Sequence, residues 1–159
     1  MQQTFRMAQS RCKILVGRGG VLGKYVQLHV HLVWATSERM PLITETLEPE
    51  IFAVIGQRCL ALSCAAIAIG GTADHVHVLA RLHPSVAVAR LVAEIKGALS
   101  HVMNGRLGEG DRFGWQRGYA AFTIGSDDVP AVTRYVLDQK RHHATSSTQS
   151  RLELGDDER

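Results

Sequence analysis

Cys64-Ala65-Ala66-Ile67-Ala68-Ile69, Gly70-Gly71-Thr72-Ala73-Asp74 and His75-Val76-His77-Val78-Leu79-Ala80-Arg81-Leu82 form the continuous stretch on which the fold turns. Two apolar, β-prone runs flank five turn-forming residues, so the segment reads as a hairpin with strands over 64–69 and 75–82. Successive side chains leave a strand on opposite faces. His75 and His77 therefore emerge side by side, while Val76 and Val78 turn to the other, buried face. Two imidazoles so placed can meet one cation.

Upstream, the run from Tyr25 to Trp34 predicts a long first strand over 24–36. Between it and the hairpin, Thr46 is the expected cap of a helix reaching about Leu62. Leu47, Ile51, Val54, Ile55 and Cys59 fall at helical spacing there, and Pro49 is tolerated in the first turn. Downstream, Ser85 is the expected cap of a helix to about Gly105, with Val88, Leu91, Val92, Ile95, Leu99 and Val102 on one stripe. A fourth strand follows over 119–124. Asp128 then caps a last helix to about Ala144, with Pro130 in its first turn.

The order strand, helix, strand, strand, helix, strand, helix predicts an α+β chain with the ferredoxin-like split βαβ arrangement. It has a four-stranded antiparallel sheet with helices on one face, plus a C-terminal helix bearing Tyr135. On that last helix Tyr135 and Gln139 are four residues apart and share a stripe, so one face can present a ligand and a nucleophile.

A chain of 159 residues, 45% hydrophobic and 21% charged, has the mass for a single core. The expected division is a flexible leader over 1–23, one folded domain over 24–144 and a polar tail over 145–159. Cys12, Cys59 and Cys64 are odd in number and form no Cys-x-x-Cys pair, which points away from a disulfide framework or zinc knuckle and towards the cytoplasm. No signal peptide or membrane-spanning run is expected. The net charge of +3 and pI near 9.0 permit a polyanionic partner.

The segments Tyr25 to Pro41, Gly70 to His77, Trp115 to Phe122 and Tyr135-Val136-Leu137-Asp138-Gln139 with His142-His143 resemble, in order, the single-tyrosine insertion-sequence (IS200-like) transposases of the HUH endonuclease superfamily. The resemblance implies a catalytic domain over 24–144 that cleaves and rejoins single-stranded DNA through a 5′-phosphotyrosine. It also implies recognition of a hairpin, and a homodimer whose active sites form in trans. Position by position, His75 and His77 match the metal pair, Tyr135 the nucleophile and Gln139 the third metal ligand. The implied cofactor is Mg²⁺ or Mn²⁺.

The chemistry agrees. A phenol attacking a phosphodiester needs the phosphate polarised and the leaving 3′ oxygen stabilised, and neutral imidazole and amide ligands leave a dication its full charge for that. His29 and His31 repeat the His-x-His pattern on the first strand. Their expected role is structural or DNA-contacting, because the Gly-Gly-Thr-Ala-Asp lead-in precedes only the second pair.

Lys96, Ser100 and Lys140 are the expected phosphate contacts, with Arg112, Arg117, Arg134 and Arg141 as further candidates. Trp115 and Phe122 suit either base stacking or core packing, and His142 and His143 suit a solvated helix end. Two other readings stand beside the transposase: a domesticated nuclease processing repeat palindromes, and a catalytically silent nucleic-acid-binding module.

Overall fold

The computed structural model describes residues 25–106, 112–149 and 152–153; the leader expected over 1–23 lies outside the described residues. In chain order come β1 (His29–Ala35), α1 (Glu48–Ala61), β2 (Ala65–Gly71), β3 (His75–Arg81), α2 (Val88–Asn104), β4 (Ala120–Ile124), α3 (Val129–Leu137) and α4 (Gln139–Ala144). The strands make one antiparallel sheet in the order β2-β3-β1-β4. This is the expected α+β ferredoxin-like arrangement. Among the described residues, no helix is long and apolar enough to cross a membrane.

Strand alternation sorts the side chains into two cores. Val30, Leu32 and Trp34 of β1 and Val76, Val78 and Ala80 of β3 pack with α1 and α2 through Ile51, Ile55, Leu91, Ile95 and Leu99. The opposite face meets α3: Leu79, Ala68 and Ile124 pack with Val132, Tyr135, Val136 and Leu152. A fully buried aliphatic side chain contributes about 1.5–3 kcal/mol. The larger cluster therefore holds the sheet together, and the smaller one seats α3. A register shift between Ala66 and Ala68 puts these two alanines in different cores.

Several element ends differ from expectation. The first strand begins at His29, and Gly70 and Gly71 belong to β2, so the turn is only Thr72-Ala73-Asp74. Thr46 does not cap α1; its hydroxyl lies 2.9 Å from that of Thr44. Ser85 instead meets His83 Nδ1 at 2.7 Å, and α2 starts after an extended Ala87. Asp128 precedes α3 but makes no side-chain cap bond. The last helix is interrupted at Asp138 (φ −98°, ψ 18°), so Tyr135 and Gln139 sit on successive helices.

Candidate active site

The hairpin turn holds His75. Its Nδ1 lies 2.7 Å from Asp74 Oδ1 and 2.8 Å from Thr72 Oγ1, and the Thr72 hydroxyl donates to the same carboxylate oxygen at 2.7 Å. A carboxylate only accepts, so the neutral His75 ring carries its proton on Nδ1 and presents a bare Nε2. The His75 hydrogen bond holds the Asp74 carboxyl well below the usual carboxylate range, aided by the Arg39 guanidinium at 3.4 Å. The turn itself is pinned to the end of β1, because Thr36 donates its N–H at 2.7 Å and its hydroxyl at 3.0 Å to the Asp74 carbonyl.

His77 is fully buried. Its Nδ1 lies 3.0 Å from His31 Nε2, and the two rings stack with centroids 5.1 Å apart. Burial lowers the pKa of His77 and pushes that of His31 down to about 3, so both rings are neutral near pH 7.

Tyr135 reaches this pair because of a glycine. Gly70 pairs with His77 across the sheet, and a Cβ at Gly70 would stand 1.8 Å from the Val136 carbonyl oxygen. With no side chain there, α3 comes down onto β2 and sets the Tyr135 ring 6.2 Å from that of His77. The Tyr135 hydroxyl donates to Glu153 Oε1 and accepts the Gln149 N–H at 3.0 Å. Burial first, and the Glu153 bond second, raise the pKa of the phenol. Gln139 is buried and donates its amide N–H to the Tyr135 carbonyl at 3.2 Å.

One ligand atom from each of His75, His77, His143 and Glu153 lies within 4.8 Å of the others. The His143 ring packs on His75 with centroids 4.7 Å apart. Glu153 Oε2 is 3.4 Å from His77 Nε2, 3.8 Å from His143 Nε2 and 4.0 Å from His75 Nε2. Burial would raise the Glu153 pKa, but the His77 and Tyr135 contacts outweigh it and lower the value to about 2, leaving a carboxylate.

His75 Nε2, His77 Nε2 and Gln139 Oε1 are buried and make no hydrogen bond. An unpartnered buried acceptor costs about 1–3 kcal/mol, and a cation would satisfy such lone pairs. The chemistry of this donor set fits a divalent ion held by the two imidazoles and the Gln139 amide oxygen, with His143 and Glu153 as further donors.

Of the other expected positions, Lys96 and Ser100 stand on α2, which covers the opposite face of the sheet. Lys96 gives its ammonium to the carbonyls of Gln116 at 2.9 Å and Gly118 at 2.5 Å, so it ties down the chain before β4 rather than standing at the imidazole pair. Lys140 follows Gln139 and pairs with Glu48. Trp115 joins the large core, whereas Phe122 stacks on His31 at 5.8 Å.

Tyr135 stands beside its own His77, because Val132, Tyr135 and Val136 bury against their own sheet where Gly70 admits the helix. His143 and Glu153 were outside the expected ligand set. The sequence signal for Glu153 is faint, the apolar Leu152 and Leu154 on either side of it in an otherwise polar tail, and Leu152 is what anchors the tail in the second core.

The family described as Transposase IS200 like matches residues 24–139, most of the chain. The chain belongs to the IS200-like transposase family. Transposases of this family cleave DNA and generally use a divalent metal. Two solved structures share the fold of this IS200-like transposase, each with a TM-score of 0.59. A Deinococcus radiodurans R1 protein assigned as a transposase is 19% identical, over 74% of this chain and 95% of its own. A REP-associated tyrosine transposase, solved bound to a REP hairpin, is 15% identical over 79% of this chain and 74% of its own. No curated protein matches the chain.

Proposed function

We propose that this transposase cuts and rejoins single-stranded DNA, with Tyr135 as nucleophile and His75, His77 and Gln139 as ligands of Mg²⁺ or Mn²⁺. The observation that carries the reading is the Tyr135 ring standing edge-on, 6.2 Å from that of His77, beside an imidazole pair whose buried Nε2 atoms make no hydrogen bond and converge with Glu153 Oε2. The phenol oxygen forms a bond to the scissile phosphorus as the bond from phosphorus to the 3′ oxygen breaks. The phenol proton leaves and the 3′ oxygen ends protonated. The 5′-phosphotyrosine keeps the energy of the broken ester, so the reverse attack by a 3′ hydroxyl reseals a strand without ATP. A divalent cation, when bound, polarises the non-bridging oxygens and stabilises the leaving oxygen.

The protein's own part is orientation. Asp74 and Thr72 fix the His75 ring, α3 sets the phenol at the pair, and the Gln139 amide is anchored on the Tyr135 carbonyl with its oxygen left over. Lys140, exposed beside Gln139, is the basic group we place against the strand. A hairpin within the single strand is the proposed recognition element, supported by the REP hairpin in the related structure. The proposed assembly is a homodimer paired through an exposed sheet edge, each site built within one chain. Its setting is the cytoplasm, in keeping with the buried free thiols of Cys59 and Cys64. The complete set of tyrosine and ligands favours an active enzyme over a silent binding module.

The test is incubation with single-stranded oligonucleotides carrying imperfect hairpins, resolved on a denaturing gel. A covalent protein-DNA band that needs Mg²⁺ or Mn²⁺, disappears with chelator and is absent in Tyr135→Phe is the expected result. A band that persists in folded Tyr135→Phe would assign the nucleophile elsewhere.

A further inference from the structure

His31 is a fully buried histidine on a strand whose neighbouring inward positions, Val33 and Leu79, are aliphatic. Packing alone does not ask for an imidazole there. A leucine or phenylalanine would fill the space against Phe122, whereas the His31 ring brings an Nδ1 that is buried without a partner. Such a group costs stability, so its presence calls for a reason in what the other ring nitrogen does.

That other nitrogen meets His77. The strand register sets His31 opposite Leu79 and His77 opposite Val33, so the two rings are diagonal neighbours on one face, their planes nearly parallel at 20° and 3.0 Å apart from Nε2 to Nδ1. Between two neutral rings only one can donate. If His31 donates, His77 is left with its proton on Nε2, facing the ion, and cannot bind it. If His77 donates, its Nε2 is a lone pair facing the ion and its ring is held at the back. His75 is already arranged the second way, with Nδ1 committed to Asp74 and Thr72. His77 has no carboxylate at Nδ1; its carboxylate neighbour, Glu153 Oε2 at 3.4 Å from Nε2, stands on the ion's side as one of the further donors.

We propose that His31 is the positioning residue of His77, its Nε2 accepting the His77 Nδ1 proton so that His77 Nε2 stays open to the divalent ion. The proposal rests on the metal reading given above. His29, at the far end of the same strand face, has no ring contact with the pair and no such role.

The full chain, stripped of metal with chelator, is titrated with Mn²⁺ alone and free ion is followed by electron paramagnetic resonance. Wild type binds and His77→Ala does not. His31→Phe should bind about 10- to 100-fold more weakly, while His31→Gln, whose amide oxygen can accept at the same place, should return to within a few-fold of wild type. Thermal unfolding shows each variant to be folded, and a purely structural role would not separate glutamine from phenylalanine in this way. Equal affinity in His31→Phe, or a folded His31→Gln as weak as His31→Phe, overturns the proposal. Nitrogen-15 spectra of wild type with Zn²⁺ test it without any variant: the proton belongs on His77 Nδ1, and finding it on Nε2 overturns the assignment. Wild type that binds no Mn²⁺ brings down the metal reading, and this proposal with it, a result distinct from either variant outcome.

Discussion

At the scale of single residues, burial decides the charge state of the imidazoles. His31 has an ordinary value of 6.5 and is pushed to about 3, and His77 moves in the same direction for the same first cause, desolvation. Between those two values the unfolded chain binds a proton that the folded His31 refuses. Stability from this group is therefore complete above pH 6.5 and is lost as pH falls towards 3. His31→Phe removes that dependence. Denaturant unfolding at pH 7 and pH 5 should show the variant gaining on wild type by about 1–2 kcal/mol as the pH drops, each pKa unit being worth about 1.4 kcal/mol. A gap that does not change with pH would mean that His31 takes up its proton in the folded chain as readily as in the unfolded one. The ligand pair is tested by Mn²⁺ binding and adduct formation together: His75→Ala and His77→Ala should each lose both, while His29→Ala keeps both. The reverse pattern would exchange the roles of the two His-x-His pairs.

At the scale of elements, the seat of α3 depends on Gly70. The hairpin, the order of elements along the chain and the two-residue spacing of His75 and His77 were legible because alternation in strands and periodicity in helices are local properties of the chain. The break at Asp138 and the membership of Gly70 in β2 were not, since helical periodicity runs straight through the first and a glycine pair ordinarily marks a turn. In Gly70→Ala the added methyl would meet the Val136 carbonyl, so α3 must lift while the core under α1 and α2 stays closed. Adduct formation should fall by about 10²-fold, the scale of a 1 Å misplacement of a reacting group, with Mn²⁺ binding at His75 and His77 changed far less. An alanine variant as active as wild type would show that α3 does not need this close approach.

At the scale of the whole molecule, the chain closes on its own site. Leu152 anchors the tail in the core under α3, and Glu153 holds the Tyr135 hydroxyl on the side of the imidazole pair where a phosphate oxygen has to come. A carboxylate with a pKa of about 2 is a weak base, and its charge opposes both phenol ionisation and an incoming phosphate. Glu153→Gln should therefore form the adduct several-fold faster in initial-rate measurements. A slower variant would show that the carboxylate assists the attack. Because Tyr135 sits by its own His77, mixing Tyr135→Phe protein with His77→Ala protein should restore no cleavage, whatever dimer sedimentation reveals; recovery would show that the helix crosses between subunits.

The sequence by itself determined the order of elements, the pairing of the two histidines on one strand face and the presence of a tyrosine four residues before a glutamine. Each follows from spacing along the backbone, and spacing is local. Only the tertiary structure decided that the tyrosine packs against its own sheet, that Lys96 belongs to the opposite face, that His31 stands behind His77 and that Glu153 returns to the Tyr135 hydroxyl from the tail. These are contacts between residues as far as 76 positions apart in numbering, as in His77 and Glu153, and they are settled by which apolar surfaces close on one another rather than by any pattern a single segment carries.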